Sequence, residues 1–241
     1  VILALDTSTR TLSAALTQVD GTVVVEGTIG PPARISQALP GELEALLKRG
    51  GAGWSDVTGF AVGLGPGSFT GLRIGLATLK GLAFALSKPM VGVSSLAAVA
   101  YEGPEHVELW SLAVVKKGEL YLGRYRRVGP AVTLLAPEAS MTEGEVVAAM
   151  KDAPLVQALG PALDEYEASF ISAGIDASRL LKPGRVPSAL AIARLAPPLG
   201  VFDSQALFAL EPHYIRSSGA EENPKFPPLS PIEPTARLKE D

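Results

Sequence analysis

Val1-Ile2-Leu3-Ala4-Leu5 runs into the polar turn Asp6-Thr7-Ser8-Thr9, followed by Leu12-Ser13-Ala14-Ala15-Leu16-Thr17-Gln18, the pair Asp20-Gly21, and Thr22-Val23-Val24-Val25-Glu26. The first run has the unbroken apolar character of a strand buried on both faces. The second is a strand of small residues. Asp20-Gly21 is a type I′ hairpin signal and leads into a third, antiparallel strand. The chain therefore opens as a three-stranded meander. Over residues 34–49 the apolar positions Ile35, Leu39, Leu43, Leu46 and Leu47 recur at helical spacing, and Gly50-Gly51 ends the run.

Residues 57–64 form a β-rich apolar run. The connection Gly65-Pro66-Gly67-Ser68-Phe69-Thr70-Gly71 follows, and residues 72–86 read as a helix with the stripe Leu72, Leu76, Leu79, Ala83 and Leu86, stopped by Lys88-Pro89. A short strand, residues 90–93, precedes Ser94, which is placed to cap a helix carrying Leu96 and Val99. The order βββαβαβα is complete by residue 100. It resembles one half of the actin, sugar-kinase and heat-shock ATPase superfamily, and implies an α/β, two-lobed ribonuclease H-like fold in which each lobe is a mixed sheet with helices.

The second half repeats the plan loosely, with no residue-level repeat visible. Residues 107–115, 120–126 and 131–136 read as strands, 155–159 as a further short strand, and 143–151, 163–173 and 188–196 as helices. The expected division is a first lobe over 1–100, a second over 101–216, and a tail over 217–241. That tail holds Pro224, Pro227, Pro228, Pro231 and Pro234 among charges and reads as disordered.

Composition narrows the chemistry. The 241 residues are 47% hydrophobic and 19% charged with a net charge of −4, so nothing global draws nucleic acid to the chain. The absence of cysteine excludes a disulfide framework, a thiolate metal site and a catalytic cysteine. His106 and His213 are the only histidines. Lys80 interrupts the best candidate for a membrane span, and Asp6 stops the opening apolar run short of a signal core. A cytoplasmic protein is expected, its initiator methionine missing ahead of Val1.

Two constellations carry chemistry. Asp6, Thr7 and Ser8 after a buried strand have the makings of a site for hydrated magnesium and a nucleotide phosphate. Equally, they satisfy the backbone of their own turn. Gly65, Gly67, Ser68, Thr70 and Gly71, with Arg73 behind them, join a strand to a helix whose N-terminus offers free N–H groups to an anion. The alternative is a tight connector, and the Walker pattern is absent.

Ile2-Leu3-Ala4-Leu5-Asp6-Thr7-Ser8-Thr9, the stretch Gly65-Pro66-Gly67-Ser68-Phe69-Thr70-Gly71-Leu72-Arg73-Ile74-Gly75, and Pro89-Met90-Val91-Gly92-Val93-Ser94-Ser95-Leu96 resemble the TsaB (YeaZ) family. Pro212-His213-Tyr214-Ile215-Arg216 is similar to the Pro-x-Tyr-Leu-Arg ending of that family. The resemblance implies an accessory, non-catalytic subunit for making threonylcarbamoyladenosine beside the tRNA anticodon. Its partners would be the catalytic relative TsaD and the ATPase TsaE, with tRNA reached only through the complex. It further implies a homodimer when alone, no membrane association, no intrinsic cofactor, and ATP or ADP with magnesium only within the complex. The helices over 34–49 and 72–86 would dock partners through Leu39, Leu43, Leu46, Leu72, Arg73, Leu76 and Leu79, although the same leucines could simply face the sheet.

Departures from the family pattern accompany these matches. Arg34-Ile35-Ser36-Gln37 stands where relatives carry Arg-x-His-Ser, and Val114 and Lys116 stand where they carry Asp and Arg. A TsaD-like metal site needs two histidines one helical turn apart, which this chain lacks, so the old glycoprotease label finds no support in these residues. A kinase of the superfamily would need a second glycine-rich phosphate loop, yet the Gly-Gly pair lies in the first half. The rival reading is a small stand-alone ATPase or phosphotransferase with Asp6 on magnesium and the glycine loop on phosphate.

Overall fold

The computed structural model describes residues 1–30, 35–182, 184 and 186–215. The expected tail over 217–241 and Arg216 lie outside the described residues. In the first lobe, β1 (Ile2–Asp6) lies between β2 (Leu12–Thr17), antiparallel to it, and β4 (Gly59–Gly63), parallel to it. The edge strands are β3 (Val23–Ile29) and β5 (Met90–Val93), which gives the order β3-β2-β1-β4-β5 of a ribonuclease H-like sheet. The three central strands are buried along their whole length, the burial that unbroken apolar runs anticipate.

The β2–β3 turn differs from the type I′ expectation. Among its residues only Gly21 has a positive φ, 84°. Its N–H donates to Gln18 O (3.0 Å), and the Gln18 N–H donates to Thr22 O (2.8 Å). This is a type I turn followed by a left-handed glycine, and further along β3 Val24 is a surplus residue that shifts the register between Leu16 and Thr17.

One face of the sheet carries α1 (Ile35–Arg49) and α2 (Phe69–Leu86). Gly51, at φ 67°, closes α1 with its N–H on Lys48 O and the Ala52 N–H on Leu47 O, a Schellman ending. Three residues earlier than expected, α2 begins at Phe69, because Ser68 is its N-cap: Ser68 Oγ accepts the Gly71 N–H at 3.2 Å. By length and composition alone this 18-residue helix is apolar enough to cross a bilayer, contrary to the expectation that no run would be. In the fold it turns Leu72, Leu76, Leu79 and Ala83 inward, and Lys80 Nζ binds Phe208 O (2.9 Å).

Ser94 Oγ caps α3 (Ser95–Tyr101) by accepting the Leu96 and Ala97 N–H groups. The second sheet, β8-β7-β6-β9, follows: β6 (Glu108–Lys116), β7 (Glu119–Val128), β8 (Ala131–Thr142) and the parallel β9 (Gln157–Leu159). Its core is closed by α4 (Glu143–Asp152) and α5 (Leu163–Ser172). A single bridge, Ala158 to Leu180, stands where the first sheet has a fifth strand.

The chain then returns. Across β1, β2 and β4 lies α6 (Ala189–Leu195), while α7 (Ser204–Ala209), unforeseen in the sequence, inserts Leu207 into the first core. The first lobe is therefore not the contiguous 1–100 expected, since it takes back residues 189–209.

Candidate functional site

The turn after β1 and the connector after β4 lie against each other. Asp6 is 1% exposed. Its Oδ1 accepts the Ser8 N–H (2.8 Å) and the Ser8 hydroxyl (2.6 Å), and its Oδ2 accepts the Ser95 hydroxyl (2.6 Å). Ser95 Oγ in turn accepts the Gly65 N–H at 3.0 Å, so one carboxylate ties the β1 turn, the β4 connector and the start of α3. Hydrogen bonds to a charged group contribute about 1.5–3 kcal/mol each, against a burial cost of several kcal/mol for the charge. The balance holds the Asp6 carboxyl above its ordinary 3.8, with burial the larger influence and the Ser8 and Ser95 donors opposing it.

The glycines approach this turn rather than an open cradle. A Cβ at Gly67 would overlap Ser8 O, one at Gly71 would overlap Thr7 O, and one at Gly75 would overlap Thr7 Oγ1. The Ser68 N–H, at the mouth of the connector, donates to Ser8 O at 2.7 Å. Thr7 and Ser8 thus fill the space that the glycines open. Thr7 and Ser8 stand where a phosphate would have to lie, and both Asp6 oxygens are engaged by internal donors, two on Oδ1 and one on Oδ2. Among the described residues no three acidic or histidine side chains are grouped to hold a metal.

Of the residues expected to bind an anion, Asp6, Thr7, Ser8, Gly65, Gly67 and Gly71 come together, but on one another. Ser68 caps α2, and Thr70 is exposed on its first turn. Sequence reasoning missed Ser95, Gly63 and Gly75. A Cβ at Gly63 would overlap Asp6 Oδ2, and the apolar context of Val62-Gly63-Leu64 was the signal available for it.

The expected docking leucines are a correction. Leu39, Leu43 and Leu46 of α1 and Leu72, Leu76 and Leu79 of α2 are all buried in the chain's own core, at 6% exposure or less. One sheet-facing stripe on each helix accounts for every one of them. What α2 leaves outside is Phe69, Thr70, Arg73, Ala77, Gly81, Phe84 and Ala85. Arg73 stacks its guanidinium 3.9 Å from the Phe69 ring centroid and donates from Nε to Tyr214 OH (3.0 Å), so it pins the C-terminal segment instead of facing the glycine connector.

His213 borders the connector, whereas His106 sits beside the second sheet. His106 is an exposed residue at φ 64° on the approach to β6, while the His213 N–H donates to Leu64 O at 2.8 Å. Two of the three arginines of β7 are engaged within the chain: Arg124 binds Glu108 (2.8 Å), and Arg127 binds Tyr101 O and Gly103 O, while Arg126 is exposed.

The family model described as "TsaD: tRNA N6-adenosine threonylcarbamoyltransferase" matches residues 33–196. The chain is 36% identical over 129 residues to the tRNA threonylcarbamoyladenosine biosynthesis protein TsaB of Escherichia coli (strain K12), covering 52% of this chain and 55% of that one. It belongs to the TsaB (YeaZ) family. The Bacillus subtilis (strain 168) TsaB is 30% identical over 152 residues, 63% of this chain and 66% of that one. The matches to these TsaB proteins thus span between half and two thirds of their length. A solved Pseudomonas aeruginosa structure, described as similar to peptidase YEAZ, superimposes with a TM-score of 0.69 at 26% identity over 89% of this chain and 99% of that one. The TsaB resemblance rests on both sequence and fold.

Proposed function

We propose that the chain is a non-catalytic, cytoplasmic partner subunit in the synthesis of threonylcarbamoyladenosine on tRNA, working with the transferase TsaD and the ATPase TsaE. The observation that carries this reading is the glycine connector closed by its own β1 turn. A loop of phosphate-binding composition is here a clasp within the fold, and Asp6 is its centre. Chemistry on nucleotide and tRNA then belongs to the partners.

Partners meet the outward face of α2, where Ala77 and Gly81 let another helix approach and Phe69 and Phe84 supply apolar area at either end. Without TsaD the same face pairs with a second copy. Ala77→Glu should leave folding intact, because Ala77 is exposed, yet abolish both pairings in sedimentation and pull-down measurements. Leu76→Glu is expected to unfold the first lobe instead.

Reconstitution with purified TsaD, TsaE, tRNA, threonine, bicarbonate and ATP tests the role. Modified adenosine should form only when this chain is added, and the chain alone should turn over no ATP. Steady hydrolysis by the chain alone that disappears in Asp6→Ala would overturn the proposal in favour of a stand-alone ATPase.

A further inference from the structure

A second constellation lies between the lobes, beside the glycine connector but built on β7 and β8. Along β7 and β8 the pairs Leu122/Ala139, Arg124/Ala136 and Tyr125/Leu134 leave two surplus residues on β8, a double bulge around Leu135 and Pro137-Glu138. Bulges re-aim side chains. This one sends Glu138 inward, leaving its side chain 2% exposed. Gly123 completes the arrangement: a Cβ there would meet the Tyr125 ring at Cε2, so only glycine lets that ring lie across the strand toward Glu138.

Glu138 Oε1 accepts the hydroxyls of Ser94 (2.5 Å) and Tyr125, and Oε2 lies 3.0 Å from His213 Nδ1. Burial and the adjacent carboxylate hold the Tyr125 phenol protonated, far above its ordinary value. These groups form the floor of a hollow of about 480 Å³ walled by Ala97, Val132, Leu134 and Pro137. Among the described residues no lysine or arginine lines it. The floor thus carries a buried carboxylate served by two neutral hydroxyls and one imidazole, with hydrogen-bonding capacity left on Oε2.

We infer that this hollow binds a primary ammonium group on a short apolar stem, with the cation on Glu138 Oε2 and the stem along Ala97, Val132 and Leu134. A buried carboxylate without a permanent cation is costly, and a cation that brings its own apolar surface repays both the charge and the walls. An anion is repelled by Glu138, and a neutral alcohol leaves the charge uncompensated. The ligand chemistry is shared by a free alkylamine and by a lysine side chain of a partner protein, whose stem and head have the same division.

Calorimetry and methyl NMR on the full chain test this, with n-butylammonium, n-butanol and Nα-acetyl-lysine N-methylamide as probes. Butylammonium is expected to bind with a dissociation constant on the order of millimolar, shifting Ala97 and Val132 methyl resonances, and butanol about tenfold more weakly. Glu138→Gln should remove the difference between the two. Leu134→Trp, at an exposed position on the rim, should block binding while keeping the fold, and so serves if Glu138→Gln unfolds. Tighter binding of the lysine derivative identifies a partner's side chain as the source, and tighter binding of butylammonium identifies a free amine. Equal binding of butanol, or no methyl shift with saturating amine, overturns the proposal. Amine binding that appears only in Arg216→Ala overturns it as well, since the chain would then be supplying the cation itself.

Discussion

The two lobes share a strand order, 3-2-1-4, and depart from each other where the fourth strand leaves the sheet. In the first lobe the exit is Leu64-Gly65-Pro66-Gly67-Ser68, and in the second it is Leu159-Gly160-Pro161-Ala162. Each exit glycine has positive φ, 90° at Gly65 and 120° at Gly160. Each connector also sends an N–H back to a carbonyl of its own lobe's first strand or the turn after it: Ser68 to Ser8 O and Ala162 to Leu112 O (3.1 Å). The short connector of the second lobe has no glycines beyond that one and offers nothing to a ligand. The long one has Gly67 as well, the helix after it adds Gly71 and Gly75, and all three are taken up by the chain. A glycine-rich connector is thus no measure of an open site, because close approach by the protein's own turn demands glycine as strictly as a phosphate does.

If the two exits are equivalent clasps, substitutions at them should cost alike. Gly63→Ala pushes a methyl into Asp6 Oδ2, and Gly160→Ala pushes one into the Leu112 carbonyl from a backbone conformation that suits only glycine. Each should lose about 3 kcal/mol or more in denaturant unfolding. Trp54 packs on the first core and Trp110 sits in the second, so single-tryptophan variants report which lobe loosens. Little cost at Gly160 would mean that only the first lobe relies on its connector.

A smaller effect sharpens the contrast at Asp6, whose carboxyl is raised above 3.8 chiefly by burial. The folded chain holds that proton more tightly than the unfolded one. The stability this contributes is fully present below the unfolded value and is lost as pH rises through the folded one. Asp6→Asn removes this dependence, so the stability difference between wild type and variant should slope across that window and be flat well above it. Two parallel curves would mean that Asp6 titrates normally and the clasp is looser than described.

The smallest effect belongs to the outer face. Nothing lies within 4 Å of a Cβ at Gly81, so Gly81→Ala should stabilise the isolated chain by about 1 kcal/mol through helix propensity alone. If α2 docks another helix there, the same substitution should weaken pairing. A rise in melting temperature with unchanged pairing would move the interface elsewhere.

Much of this architecture is legible in the residues, and the failures have physical causes. The apolar runs at β1 and β4 and the leucine stripes of α1 and α2 announce buried elements, because burial writes its period into the chain. The same stripes were offered as docking surface, since periodicity counts apolar residues without saying how much area one sheet face absorbs. Ser68 as a cap was hidden by Thr70 and Gly71, which read as loop. β8 was expected to stop at Ala136 but runs on to Thr142, because its bulges break the alternation by which a strand is recognised. Only six residues long and anchored by Leu207 alone among its buried positions, α7 has too little pattern to detect. The candidate site was legible as composition only. Whether glycines face a ligand or Thr7 is settled by how two distant segments meet.

The return of α6 has a temporal consequence. Ser13 Oγ donates to Pro187 O at 2.6 Å and accepts the Ala189 N–H at 2.7 Å, joining residues 174 and 176 positions apart. A ribosome must therefore have passed residue 195 before β1, β2 and β4 can be covered on their second face. Until then these strands, the most apolar in the lobe, wait with one side bare while the second lobe is already complete in sequence and free to fold. The order of maturation during synthesis is then the reverse of the order of translation, and the nascent first sheet is the surface a chaperone would have to shield.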